Sequence, residues 1–102
     1  MNEISVTELS ALTDAVIVDV READEYAEVH IPGVTHIPLS DFVARVGDVP
    51  DASPVYVVCA AGGRSAQAAS YLAGRGIDAV NVAGGTIAWQ QAGLPVQQGA
   101  AS

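Results

Sequence analysis

The chain has 102 residues, 50% of them hydrophobic, with 12 acidic and 4 basic side chains and a formal charge of −8. That length describes one domain, able to bury roughly 60–70% of its unfolded surface in one core, and the apolar content excludes a disordered acidic tail. All four basic residues are arginine (Arg21, Arg45, Arg64, Arg75), which excludes chemistries that need a lysine: Schiff bases, pyridoxal anchors and Walker-A loops.

A pI near 4.2 excludes nucleic-acid binding, which needs clustered cations. The single cysteine excludes an intramolecular disulfide. Met1-Asn2-Glu3 offers neither a positive nor an apolar leader region, and no stretch reaches the roughly 18–20 apolar residues of a membrane span. A cytoplasmic protein with a reduced thiol is expected. His30 and His36 are the only histidines and their spacing fits no zinc motif, so no metal is expected.

In chain order, Ile4–Val6 reads as a short strand, and Ser5 with Glu8 forms a capping box for a helix over Thr7–Leu12. Ala15–Asp19 is a β-branched, nearly all-apolar run, suited to a strand covered on both faces. Asp24–Val29 reads as a short helix ahead of Pro32-Gly33, and Thr35–Ile37 as a brief strand. Ser40–Val46 reads as a helix with Ser40 as N-cap and Phe42, Val43 and Val46 on one face. Val55–Cys59 is the second buried strand, followed by a helix from Arg64 to Arg75 that Gly76 stops. Ala66, Ala69 and Ala73 give that helix a small face for packing on a sheet. Ala79–Val82 is a further strand, Thr86 caps a last helix through Gln91, and Val96–Ser102 is expected to fray. Domain boundaries of 1–95 and 96–102 follow. The alternation implies an α/β fold with a mostly parallel sheet. In such sheets ligands sit beyond the C-terminal strand ends, here after Asp19, Cys59 and Val82.

Cys59-Ala60-Ala61-Gly62-Gly63-Arg64-Ser65 reads as strand end, tight loop and helix start. Backbone N–H groups in such a loop converge on an anion, and the helix end adds roughly half a positive charge. Arg64 adds a permanent cation. A thiol held there should fall from a pKa of about 8.5 into the range of roughly 3.5–7.5, becoming a thiolate nucleophile. A buried structural cysteine would not need the Gly-Gly-Arg-Ser sequel. Gly63-Arg64-Ser65-Ala66-Gln67 is not a G-x-S-x-G nucleophile elbow, because residue 67 is not glycine. Ser65 is better read as capping the helix or bonding the thiolate.

With these residues in place, the sequence resembles the single-domain rhodanese-like sulfurtransferases from about Ile4 to Pro95. Asp19 to Tyr26 resembles the family's Asp-x-Arg-x-x-x-Glu-aromatic segment, and His30 to Pro38 its His-Ile-x-Gly-Ala-x-His/Asn-Ile-Pro turn. Cys59 to Ser65 resembles the active-site loop, and Gly84-Gly85 with Trp89 the closing Gly-Gly-x-x-x-Trp. Val29 and Val34 depart from the usual glycine and alanine, and Ala60 and Ala61 from loop positions that often carry polar or basic groups.

The resemblance implies a rhodanese-like, five-stranded sheet of order 1-5-4-2-3 with helices on both faces. It implies that Cys59 takes a sulfane sulfur from thiosulfate or a persulfide donor and passes it to cyanide or a thiol, without cofactor or metal. The loop amides from Ala60 to Ser65, including Ala61, Gly62, Gly63 and Arg64, would cradle the sulfur. Asp19 would bond the loop or cap the next helix, the structural role being favoured. Arg21 and Glu25 have the spacing of a helical pair, and His30 and His36 brace turns. Gly84 and Gly85 let the last loop pass close to the active loop, and Trp89 belongs to the core. A sulfur-carrying module that serves a partner protein is the main alternative. A phosphatase or arsenate reductase on this fold usually has one more residue between cysteine and arginine than the four seen here.

Overall fold

The structure is a computed structural model and describes residues 2–100. Its elements are β1 (Asn2–Ile4), α1 (Val6–Ser10), β2 (Ile17–Asp19), α2 (Ala23–Glu28), β3 (Thr35–His36), β4 (Val55–Val58), α3 (Gly63–Gly74), β5 (Ala79–Val82) and α4 (Gly85–Gln91). The sheet order is β1-β5-β4-β2-β3 and every ladder is parallel. Order, strand number and parallel pairing are those expected.

Successive residues along β4 serve opposite layers, as the pleat requires. Val55, Val57 and Cys59 pack with Ala68, Ala69 and Leu72 of α3 and with Phe42. Tyr56 and Val58 pack with Val6 and Leu9 of α1, Tyr26 of α2 and Trp89 of α4. The sheet is thus covered on both faces, which is why its strands are so apolar. The buried stripe of α3 is Ser65, Ala68, Ala69 and Leu72, at ideal helical spacing; Ala73, expected on that face, is exposed.

Several expected elements shift for identifiable reasons. The Ser5–Glu8 capping box is present, and because Ser5 caps α1 the preceding strand ends at Ile4 and not at Val6. The helix expected over Ser40–Val46 is replaced by two 3-10 turns, Leu39–Asp41 and Val46–Asp48. Ser40 does not cap: its hydroxyl donates to Glu22 at 2.7 Å, while Phe42 is buried and Val43 is 64% exposed, so no common apolar face exists. Thr86 lies inside α4, whose N-cap is Gly84. Within the segment expected to fray, Gln97 pairs with His30 and the Gly99 N–H donates to Ala27, while Ala101 and Ser102 lie outside the described residues.

Arg21 does not pair with the Glu25 carboxylate. Its guanidinium lies on the Asp19 carboxylate (Nη2–Oδ2 2.8 Å), with both side chains almost fully buried. The same guanidinium donates to the carbonyls of Val29 (2.7 Å) and Glu25 (3.4 Å), which satisfies the C-terminal end of α2. Val29 itself is in extended backbone (φ −163°), a conformation open to any residue, so valine is accepted where the family has glycine. Tyr26 is stacked between His30 and His36, with ring centroids 3.9 and 4.1 Å apart. His30 Nδ1 and His36 Nε2 each donate to a carbonyl, of Tyr26 and Arg21 respectively, so both rings do brace the chain between β2 and β3.

Removing one partner of the Asp19–Arg21 pair strands a buried charge. Asp19→Ala should lower the unfolding free energy by about 3–5 kcal/mol in urea denaturation. A loss under about 1 kcal/mol, the scale of an exposed pair, would mean that the pair is not buried in solution.

Candidate active site

Cys59 stands one residue beyond the end of β4, and α3 begins at Gly63. Gly62, the N-cap of α3, has φ +113° and no side chain with which to cap the helix. The first helical N–H groups therefore lack a side-chain acceptor. The sulfur of Cys59 takes that place: the Gly62 N–H donates to Sγ at 3.0 Å, and the Ser65 hydroxyl lies 3.2 Å from it.

Cys59 is 1% exposed. Burial pushes its pKa up, but the Ser65 hydroxyl and the backbone N–H groups of Ser65, Gly62 and Ala61 favour the anion and outweigh it, so the thiol titrates below its ordinary value. The donors that the structure directs at Sγ are the Gly62 N–H and the Ser65 hydroxyl. Ala61 and Gly63 are exposed at the loop surface, and Ala60 and Gly62 are partly buried.

The loop is clamped from β5 and α4. The Thr86 and Ile87 N–H groups donate to the carbonyls of Cys59 (2.9 Å) and Ala60 (3.0 Å). This requires the backbones to touch at Gly85, where an added Cβ would lie 2.3 Å from the Cys59 carbonyl oxygen and 2.5 Å from that of Ala60. Gly85 also has φ +58°, and a Cβ on Gly84 would meet the Ala88 side chain at 2.6 Å. The close approach to the active loop is made at Gly85, whereas the tight contact at Gly84 is with its own helix.

Arg64 is not a free cation over the loop. Its guanidinium is held in two parallel bonds by the Glu25 carboxylate (Nη1–Oε1 2.6 Å, Nη2–Oε2 2.9 Å). The bonds from Arg64 lower the Glu25 pKa to about 2. The sign is that of a depressed acid: the pair is complete above the ordinary carboxylate range and is lost only as pH falls toward 2. Asp19 and Arg21 act behind this pair. They fix the end of α2, the helix that carries Glu25.

Sequence reasoning missed two participants. The sequence spacing pairs Glu25 with Arg21, whereas its partner Arg64 lies 39 residues away. Asn81 has no role in the sequence reading. It is buried in β5 and bonds Gly62 O, Glu3 and Ser65. The signal was available: one amide inside Ala79-Val80-Asn81-Val82, an otherwise apolar strand, must find partners.

The model of the rhodanese-like domain matches residues 5–92. The chain belongs to the rhodanese-like domain family. It is 36% identical over 101 residues to a sulfurtransferase of Allochromatium vinosum, covering 94% of each chain. It is 40% identical over 74 residues to the putative sulfur carrier protein YrkF of Bacillus subtilis, covering 72% of this chain and 40% of that one. A rhodanese-related protein from Thermoplasma volcanium superposes with a TM-score of 0.89 at 30% identity, covering 95% of this chain and 98% of the other. These relatives place the rhodanese-like chain among sulfurtransferases.

Gly85→Ala should separate the loop from α4. The expected result is a melting temperature lower by several degrees, the effect of about 1–3 kcal/mol of backbone strain in a domain this size. An unchanged melting curve would show that the backbones do not touch.

Proposed function

We propose that the protein is a sulfurtransferase in which Cys59 carries a single sulfane sulfur as a persulfide. The observation that carries this reading is the position of Sγ at the uncapped start of α3, buried, with amide and hydroxyl donors directed at it. Such a setting favours a thiolate and then an anionic sulfur one bond further out. With thiosulfate as donor, the Cys59 thiolate attacks the outer sulfur and the S–S bond breaks with its electrons on sulfite. Cys59 is left as a persulfide anion. An acceptor such as cyanide or a thiolate attacks the terminal sulfur, and the electron pair of the new S–S bond returns to Cys59. Electrons and charge balance in both steps, so no cofactor or metal enters. The only cysteine is Cys59, so the acceptor thiol comes from outside the chain.

The electrostatics favour donors of low charge. The net charge is −8, Ala60 and Ala61 bring no cation, and Arg64 is already paired with Glu25. A persulfide donor meets less repulsion than dianionic thiosulfate. Transfer to a partner protein is a second reading, supported by the likeness to a putative sulfur carrier. The four-residue spacing from Cys59 to Arg64 supports sulfur chemistry over phosphate or arsenate.

Incubation with thiosulfate should add one sulfur by mass and form thiocyanate with cyanide, and Cys59→Ser should abolish both. Turnover of p-nitrophenyl phosphate with no sulfur uptake would replace this reading with a phosphatase. Glu25→Gln should release the charge of Arg64 toward anionic donors. The thiosulfate KM should then fall roughly fivefold, the effect of about 1 kcal/mol between charges near 4 Å apart in water. A higher KM would show that Glu25 is needed to hold Arg64 in place.

A further inference from the structure

The amide of Asn81 is fully committed. Its Nδ2 donates to the Gly62 carbonyl at 3.2 Å and to Glu3 Oε2 at 3.1 Å. Both partners can only accept, which fixes the amide and turns Oδ1 toward Ser65 Oγ, 2.5 Å away. An amide oxygen also only accepts, so the Ser65 hydrogen lies on that contact. Yet Ser65 Oγ is 3.2 Å from Cys59 Sγ as well. A hydroxyl has one hydrogen. Asn81 Oδ1 and Cys59 Sγ are rivals for it.

We propose that Ser65 is a two-position donor and that Asn81 is the positioning residue that holds its hydrogen whenever the Cys59 sulfur is uncharged. The proposal rests on the persulfide reading above. In the thiol, S–H donates to Ser65 Oγ and the hydroxyl donates to Asn81. When the proton leaves for solvent, the hydroxyl turns about its C–O bond to the thiolate and Asn81 Oδ1 gives up its bond. When the thiolate has taken up sulfur, Sγ is a neutral divalent sulfur and the charge sits on the terminal atom. Neutral sulfur accepts weakly, so the hydrogen returns to Asn81. When an acceptor removes the terminal sulfur, the S–S electron pair stays on Sγ and the hydroxyl turns back. Ser65 thus stabilises Cys59 as attacking group and as leaving group, and Asn81 sets how readily it does so.

The charged groups around this cluster are Arg64 on α3, Glu25 and Glu22 on the α2 side and Glu3 on β1. None of them is altered in the test. The test is an ultraviolet titration of the thiolate in the full chain, with Cys59→Ser as the blank; the single cysteine makes the signal unambiguous. Ser65→Ala should raise the midpoint by about one pH unit, a tenfold loss of thiolate at lower pH. Asn81→Leu, which removes the rival acceptor, should lower it. In the double variant the lowering should vanish and the midpoint should match that of Ser65→Ala. A midpoint raised by Asn81→Leu, or a lowering that survives without Ser65, would overturn the proposal. A merely structural Asn81 would move the melting temperature without this dependence on Ser65. Should Asn81→Leu not fold, Asn81→Val carries the same expectations. The titration needs no turnover. If wild type forms no persulfide, the function fails while the order of midpoints still decides the Ser65–Asn81 contact. If persulfide forms and the order fails, only this inference falls.

Discussion

The site depends on the unmet donors at the start of α3. Helices ordinarily satisfy these N–H groups with a Ser, Thr, Asp or Asn side chain at the N-cap. Here Gly62 occupies that position and supplies nothing, so the sulfur at the end of β4 becomes the acceptor. The remaining architecture serves this substitution. Cys59 and Gly63 are close in sequence, so the turn between them must be tight and left-handed at Gly62. Such a turn is held by α4 N–H groups that donate to its carbonyls and by the Asn81 amide from β5. A parallel sheet suits this, because it delivers the ends of β4 and β5 side by side.

Electrostatics in this protein are local. A chain with 12 carboxylates and 4 guanidinium groups repels anions at a distance. Within the described residues, Arg21, Arg45 and Arg64 all lie on carboxylates. What favours an anion at Cys59 is then mostly uncharged: backbone N–H groups and one hydroxyl. These act over a few ångströms and are screened little by salt when buried. The same arrangement that stabilises a small anion in the loop offers little to a highly charged one outside it.

The fold was legible because its determinants are local or periodic. Val55–Val58 and Ala79–Val82 are unbroken apolar runs, and the Ser5–Glu8 box names its own helix. Cys59, Gly62 and Ser65 were legible because loop and helix start are contiguous in sequence. Illegible were the partners that folding brings from afar. Glu25 is nearer to Arg21 in the chain but meets Arg64, and Ser40 had a capping position yet bonds Glu22 across 18 residues. The segment after Pro38 failed for a related reason: Phe42 alone is drawn into the core, and tertiary packing overrides the helical spacing of Val43 and Val46.

The burial of Cys59 bears on how an acceptor would meet the persulfide proposed above. At 1% exposure, its sulfur is below the reach of a second macromolecule, and two copies could not join through it without opening the loop. One added sulfur extends the side chain by a bond of about 2 Å. On the proposed persulfide, the reactive atom would be the terminal sulfur, one bond further from the backbone than Sγ.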